Sequence, residues 1–399
     1  MHLELLNIDL FKHPINMDNK IAVVTSREKL IHADNDIEAI KTWLMQFIGT
    51  KTTFANYRKE VERFLLWCMD RNKTLKQLKF EDVLAYRYFC QNPQPYEKWV
   101  SNKRYSRKSQ LWKPFSHECG LSKSSLKLAE TTLSSLFSWL CNAGYLSANP
   151  FKLQKITAKP HDITRRYLDE DIWQAVLNAV NFNLKTADTK KKLADAIKLK
   201  WVVSLFYLTG IRISEAINNS LDNFKQEQYG EKNSWWLYIT GKGNKMRKIP
   251  VHPELIELLK LYKYHYLDVD MNDNHKTDNL ALVCKVKYKN SQKEITAVTR
   301  ASLHNWIKSI FELAKNFILK HEEYEKFRNH LYLLDKASAH WIRHTTWTHM
   351  ANKNIDLRFI RDNAGHSSIS TTNIYLHSED KKRHQDSLKH SLTPDDNSV

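Results

Sequence analysis

Apolar residues recur at three- and four-residue intervals along most of this chain, a pattern that predicts helices first. After a weakly patterned start over 1–35, the stretches DIEAIKTWLMQFI and TFANYRKEVERFLLWCMD both carry that period. In the second, Tyr57, Val61, Phe64, Leu65 and Cys68 share one stripe while Arg58, Lys59, Glu62 and Arg63 fall elsewhere, as expected of a surface helix with one buried face. FEDVLAYRYFCQ and SSLKLAETTLSSLFSWLCNAGYL predict two more helices. In the latter, Leu126, Leu133, Leu136, Phe137 and Leu140 repeat at helical spacing and Gly144 supplies the stop.

Between those two helices, NPQPYEKWVSNKRYSRKSQLWKPF has no clean period and is rich in Pro, Lys, Arg and aromatics. A solvated loop and a nucleic-acid-contacting insertion fit it equally well. SANPFKLQKITAKPHDITRR then breaks the pattern with prolines and cations, which marks an interdomain linker. RYLDEDIWQAVLNAV resumes the helical period, and LADAIKLKWVVSLFYLTG is apolar enough for a central buried helix ending at Gly210. SWWLYITGKGNKMRKIPVHP switches to β-rich composition on both sides of a Gly-Lys-Gly-Asn turn and predicts a hairpin, to which NLALVCKVKY adds a third short strand. Helices return with TRASLHNWIKSIFELAKNFI. The expected fold is mainly α with a small antiparallel β-sheet (α+β). Its expected parts are an N-terminal extension (1–35), a helical domain (36–150) with a basic insertion near 91–122, a linker (151–165), a second mostly helical domain (166–380) and a polar tail (381–399).

Charge narrows the partner. Across 399 residues, 62 Lys and Arg outnumber 44 Asp and Glu, a formal +18 that calls for an acidic partner, either nucleic acid or an anionic membrane. No run approaches the roughly eighteen apolar residues of a spanning helix, and the N-terminus lacks a signal-peptide pattern, so membrane attachment is disfavoured. The cysteines at 68, 90, 119, 141 and 284 are odd in number and widely spaced, without a CxxC. They read as reduced thiols of a cytoplasmic protein rather than a disulfide framework or zinc ribbon.

The densest candidate chemistry lies in HWIRHTTWTHMANKNIDLRFIRDNAGHSSISTTNIYLH, residues 340–377, with five His and three Arg. On a helix His340, Arg343 and His344 stand at i, i+3 and i+4, so they share a face and could converge on one anion. A zinc hydrolase of the HExxH kind needs Glu at the second position, where this chain has Trp341; taken alone, the triplet reads as locally satisfied histidines. Arg212 in LTGIRISEA follows a helix-ending glycine and opens a new helix, where its fork could hold a phosphate, with Glu215 three residues on to orient it. Alone, such an Arg is usually a surface ion-pair partner, and Lys242 in its Gly-flanked turn is a polar turn residue. Their conjunction points to a phosphate pocket.

The ordered series GIRISE, GKGNKMRKIP, HWIRH and AGHSSISTTNIY resembles the tyrosine recombinase (phage integrase) family, whose catalytic domain carries Arg, Lys, His-x-x-Arg, His and Tyr in that order. Matched residue by residue, the resemblance implies Arg212, Lys242, His340, Arg343, His366 and Tyr375 as catalytic, Glu215 as a supporting residue, and neither metal nor other cofactor. It spans roughly 165–380, and the helical region before it is similar to the family's core-binding domain. Ala364 replaces the usual Leu before Gly-His, Trp341 and Ile342 vary the His-x-x-Arg interior, and the 91–122 insertion is long; none of these removes a catalytic group.

The implied activity is site-specific DNA recombination. Tyr375 would form a covalent 3′-phosphotyrosine, Arg212 and Arg343 would clamp the non-bridging oxygens, and Lys242 would protonate the departing 5′ oxygen. His340 would accept the tyrosyl proton or bond the phosphate, His366 would donate to a non-bridging oxygen, and His344 and His349 keep structural or surface duties. The implied partner is double-stranded DNA, bound by a homotetramer that is a monomer or weak oligomer when free. Type IB topoisomerase-like nicking and rejoining, and a catalytically idle DNA-binding regulator, stand as the alternatives.

Overall fold

The computed structural model describes residues 29–103, 105–116, 120–154, 166–229, 232–269, 279–289 and 292–365. The chain divides into two compact units, Met1–His161 and Asp162–Val399. The first is built of α1 (Asp36–Met45), α2 (Lys51–Asp70), α3 (Phe80–Gln91), the single turn α4 (Tyr96–Trp99) and α5 (Lys123–Asn142). Polar caps start two of them: Asn35 Oδ1 accepts the Glu38 amide (3.0 Å) and Ser122 Oγ accepts the Ser125 amide (3.3 Å), each satisfying a donor that the first helical turn leaves open. The apolar stripes meet in a core of rings. Phe64 of α2 lies 4.8 Å from Tyr86 of α3, 5.9 Å from Phe137 of α5 and 5.7 Å from Phe151, centroid to centroid.

α2 differs from the expected one-faced helix, because Glu60, Glu62 and Arg63 are buried as well as its apolar stripe. The cover comes from the 91–122 segment. Trp99, Val100 and Phe115 enter the core, Val100 and Phe115 form a β-bridge, and Phe89 packs against Trp99 (4.9 Å) and Phe115 (5.5 Å). The Arg63 guanidinium pairs with Glu60, donates to the Pro114 carbonyl (3.4 Å) and lies 4.8 Å over the Phe115 ring. Arg107 reaches Glu62 at 2.7 Å; burial raises the Glu62 carboxyl despite the opposing charges of Arg107 and Arg58. This part of the insertion is therefore packed structure rather than a solvated loop. Charged residues tolerate the buried side of α2 because their partners arrive with the covering segment.

The second unit comprises α6 (Glu170–Lys185), α7 (Lys190–Thr209), α8 (Ile213–Asn218), β1 (Phe224–Tyr229), β2 (Lys232–Thr240), β3 (Met246–Pro250), α9 (Pro253–Leu261), β4 (Cys284–Lys289), β5 (Gln292–Ala297), α10 (Arg300–Lys320), α11 (Leu331–Lys336), α12 (Ala339–Asn352) and α13 (Leu357–Ala364). α7 is the expected central helix: Trp201, Val202, Val203, Leu205 and Phe206 are buried, and the Trp201 indole donates to the Leu282 carbonyl (2.8 Å). The mainly α class with a small antiparallel sheet holds, with one correction to the strands. The third strand of the sheet is β1, ahead of the hairpin, in the order β1-β2-β3, with Leu237 opposite Phe224 and Ile249. The strand at Cys284–Lys289 instead pairs with Gln292–Ala297 as a separate two-stranded hairpin. FKQEQY had hidden β1, since it has only one aliphatic or aromatic residue at each end and no apolar alternation between.

Cys68, Cys90, Cys141 and Cys284 are free thiols. Burial pushes the Cys90 and Cys284 thiols up to about 12, which keeps them protonated and unreactive. No helix among the described residues is long and apolar enough to cross a membrane. Residues 155–165 of the expected linker (151–165) and the polar tail lie outside the described residues.

Removing the Arg63 fork strands the buried Glu60, although Lys59 stays 3.0 Å away. Arg63→Ala is expected to lower stability by about 3 kcal/mol, read by denaturant unfolding, and to expose 94–116 to limited proteolysis before the rest of the unit.

Candidate active site

The site begins where α7 stops. Gly210 takes the left-handed conformation (φ +57°), and a Cβ there would lie 2.2 Å from the Trp347 ring of α12, so only glycine fits. Two residues on, Arg212 is the N-cap of α8, as the sequence places it, with a side chain 38% exposed. Glu215, 3% exposed, turns back on it: Oε2 accepts the Arg212 amide (2.8 Å) and Oε1 accepts Arg212 Nη1 (3.0 Å). A second guanidinium reaches the same carboxylate, with Arg247 of β3 donating from Nη1 to Oε1 (2.9 Å) and from Nη2 to Oε2 (2.8 Å). Burial would raise the Glu215 carboxyl, but the hydrogen bonds and charge of Arg247, with the amide and charge of Arg212, outweigh it and hold it below the usual range.

Asn219 joins the end of α8 to the sheet. Its Nδ2 donates to the Glu215 (3.0 Å) and Thr240 (3.2 Å) carbonyls, and its Oδ1 accepts the Thr240 amide (2.8 Å). The turn that follows is closed by the Gly241 amide on the Lys245 carbonyl (2.9 Å), with a 3₁₀ turn over Lys242–Asn244. Lys242 thus occupies the tip between β2 and β3, one residue after Gly241, which lies against Glu215 and Arg247.

α12 supplies the next group. Arg343, 3% exposed, donates to the Gly210 carbonyl and, from Nη2, to the Ala364 carbonyl (2.6 Å), with its guanidinium 5.5 Å from the Trp347 ring. The exposed ring of His340 places Nε2 2.8 Å from His344 Nε2. Local desolvation, then the positive charges of Arg343, Arg166 and Arg212, lower the His340 pKa, so the ring is neutral at neutral pH. His349 is buried between the Leu168 carbonyl (Nε2, 2.9 Å) and the Tyr207 hydroxyl (Nδ1, 3.0 Å). A carbonyl can only accept, so Nε2 carries the proton and Nδ1 accepts from Tyr207. That histidine fastens α12 to α7 and to the segment before α6. Among the described residues no group of three or more His, Cys, Asp or Glu could hold a metal ion.

Arg212, Glu215 and Arg343 therefore converge around the Gly210 turn, with the Lys242 backbone at the adjoining hairpin and His340 within electrostatic reach of both arginines. His366 and Tyr375 lie outside the described residues, which end in this region at Gly365 (φ +62°), just after α13. The residue that pattern reading missed is Arg247. The available signal was strand alternation, which puts Arg247 on the same face as buried Ile249, a poor place for a charge without a partner.

Against this geometry, the model of the phage integrase family matches residues 168–382, more than half the chain. The chain belongs to the phage integrase family. It is 28% identical over 260 residues to the tyrosine recombinase XerC of Thermodesulfovibrio yellowstonii, covering 65% of this chain and 72% of that protein. To the tyrosine recombinase XerC of Staphylococcus carnosus it is 25% identical over 340 residues, 82% and 87% of the two chains. In fold it is similar to the XerH site-specific recombinase, solved bound to its palindromic difH substrate in a post-cleavage complex, with a TM-score of 0.58, 19% identity and coverage of 85% and 80%.

Gly210→Ala forces a β-carbon into the Trp347 ring and a left-handed alanine. A loss of about 2–4 kcal/mol is expected in thermal or denaturant unfolding. Trp347 fluorescence should change with it, and wild-type stability in this variant would show that the turn is not fixed as described.

Proposed function

We propose that the chain is a tyrosine-type site-specific DNA recombinase that cleaves and rejoins DNA through a covalent 3′-phosphotyrosine on Tyr375. The observation that carries the reading is the convergence of Arg212 and Arg343 on the Gly210 turn in a chain of the phage integrase family. A phosphodiester resists attack because its charge repels the nucleophile and its alkoxide leaves poorly. Two guanidiniums fixed by the protein meet the first difficulty, since donors already oriented need no rearrangement as charge builds on the non-bridging oxygens.

Lys242, on a turn between two strands, protonates the leaving 5′ oxygen and answers the second difficulty. His340, neutral at the working pH, accepts the proton of the Tyr375 hydroxyl or bonds the phosphate, and His366 donates to a non-bridging oxygen. Glu215 supports the constellation by orienting Arg212. The phosphotyrosine conserves the energy of the broken bond, so religation to a new 5′ hydroxyl needs neither nucleotide nor metal. Double-stranded DNA is the partner. XerH, a site-specific recombinase, has been solved bound to palindromic difH substrate, and a chain with a formal +18 gains affinity for DNA by displacing counterions from phosphates. Residues 36–150 serve as the core-binding domain, 166–380 as the catalytic domain, and a homotetramer assembles on paired sites.

Incubation with the DNA that flanks its own gene should trap a protein–DNA adduct stable in denaturing gels and produce junction products. Tyr375→Phe should lower adduct formation at least about a thousandfold while DNA binding stays within about twofold. An adduct that persists in this variant refutes the assignment, and relaxed plasmid without junctions would make the activity topoisomerase-like.

The pH profile tests His340. Because its folded pKa is lowered, the proton-accepting form survives below the ordinary histidine value of about 6.5, and adduct formation is lost only as pH falls through the lowered value. His340→Gln should slow adduct formation about a hundredfold or more and remove that acid limb. An unchanged limb in the variant would assign it to another group.

A further inference from the structure

Arg247 is neither one of the expected catalytic groups nor an exposed cation awaiting DNA, because its side chain is only 12% exposed. All three of its nitrogens are engaged inside the protein: Nη1 and Nη2 on Glu215, and Nε on the Asn363 carbonyl (2.9 Å). The next carbonyl along, Ala364, is taken by Arg343 at 2.6 Å. Two arginines from different elements, β3 and α12, thus clasp successive carbonyls at the end of α13, where the macrodipole leaves negative partial charge. The chain then passes through Gly365 to His366.

Two glycines make room for the Arg247 fork. A Cβ at Gly241 would lie 3.1 Å from Glu215 Oε1 and 3.2 Å from Arg247 Nη1, and one at Gly365 would lie 3.1 Å from Arg247 Cδ. Each contact is tighter than an ordinary van der Waals approach, and Gly365 also needs its left-handed backbone. Arg247 therefore touches, through one side chain, the carboxylate that orients Arg212, the strand that continues from the Lys242 turn, and the helix end that launches His366.

We propose that Arg247 is a positioning residue for the strand-cleavage reaction. Its guanidinium locks Arg212, the Lys242 hairpin and the departure point of His366 into one arrangement, and it does so without contacting DNA. The proposal deepens the recombinase reading and rests on it for its kinetic consequence. A lysine cannot replace the fork, because a single ammonium cannot serve both Glu215 oxygens and the Asn363 carbonyl in this planar geometry.

The test compares Arg247→Ala, Arg247→Lys and wild type in the full chain, using single-turnover adduct formation on the flanking DNA at saturating protein. Both variants should form adduct about 10–100-fold more slowly, the loss associated with a misplacement near 1 Å, with half-saturation for DNA within about twofold. Millimolar methylguanidine should restore part of the rate in Arg247→Ala, because it can refill the vacated slot. Amide hydrogen exchange, which needs no DNA, should rise at 240–247 and 363–365 in both variants while α7 keeps its protection. Wild-type rates in either variant, or exchange unchanged at both segments, overturns the proposal. So does a rate loss that methylguanidine fails to relieve and that runs parallel to weakened DNA binding, since that marks a DNA contact. A wild-type chain that forms no adduct would instead remove the recombinase reading, and the exchange measurement would still decide whether Arg247 holds these segments.

Discussion

A guanidinium withdrawn from water must be repaid in hydrogen bonds, and Arg343 imposes that condition on the whole second unit. At 3% exposure its charge is held by the carbonyls of Gly210 and Ala364 and by the neighbouring Trp347 ring. Each partner is a backbone or packing feature of a different element, so satisfying one side chain fixes the end of α7, the face of α12 and the end of α13 together. An unpaired buried charge would be penalised by several kcal/mol, so none of these contacts can be relaxed by itself. The left-handed Gly210 is part of the same condition, since the turn that presents its carbonyl must also clear Trp347.

A second layer sits on that frame. Glu215 accepts four hydrogen bonds from two arginines, which fills the capacity of a carboxylate and leaves it ionised despite burial. Asn219 extends the layer to the Thr240 backbone, so the base of the β2–β3 hairpin is bonded to the helix that carries Arg212. The outcome is a graded site. Arg343 is embedded, Arg212 is anchored on its inner side and open on its outer side, and the Lys242 turn projects from a fixed base.

How much of this was legible depended on how local the cause was. Helices α1, α2, α3 and α5 and the buried α7 follow from spacing alone, and the order of Arg212, Lys242, His340, Arg343, His366 and Tyr375 was enough to point to the family. The Arg212 cap and its bond to Glu215, three residues on, were also readable, because a capping interaction is a short-range matter. The buried charges of α2 were not. Helical periodicity sorts residues by one neighbouring layer, and the second layer over Glu60, Glu62 and Arg63 arrives from a segment fifty residues away that has no period of its own. Arg247 was missed for a similar reason, since its partners at 215 and 363 are distant in sequence. β1 escaped because an edge strand of alternating polar residues carries no apolar signature.

The insertion in the first unit has a consequence for how such a chain can change over generations. A surface loop can be lengthened, shortened or exchanged on its own, but here Arg107, Pro114 and Phe115 meet the charged side of α2 through Glu62 and Arg63. Losing the segment would leave two carboxylates and a guanidinium facing water or one another on a helix otherwise committed to the core. Glu62 and Arg63 therefore depend on Arg107, Pro114 and Phe115, and grafting either stretch into another chain without the other would strand buried charge.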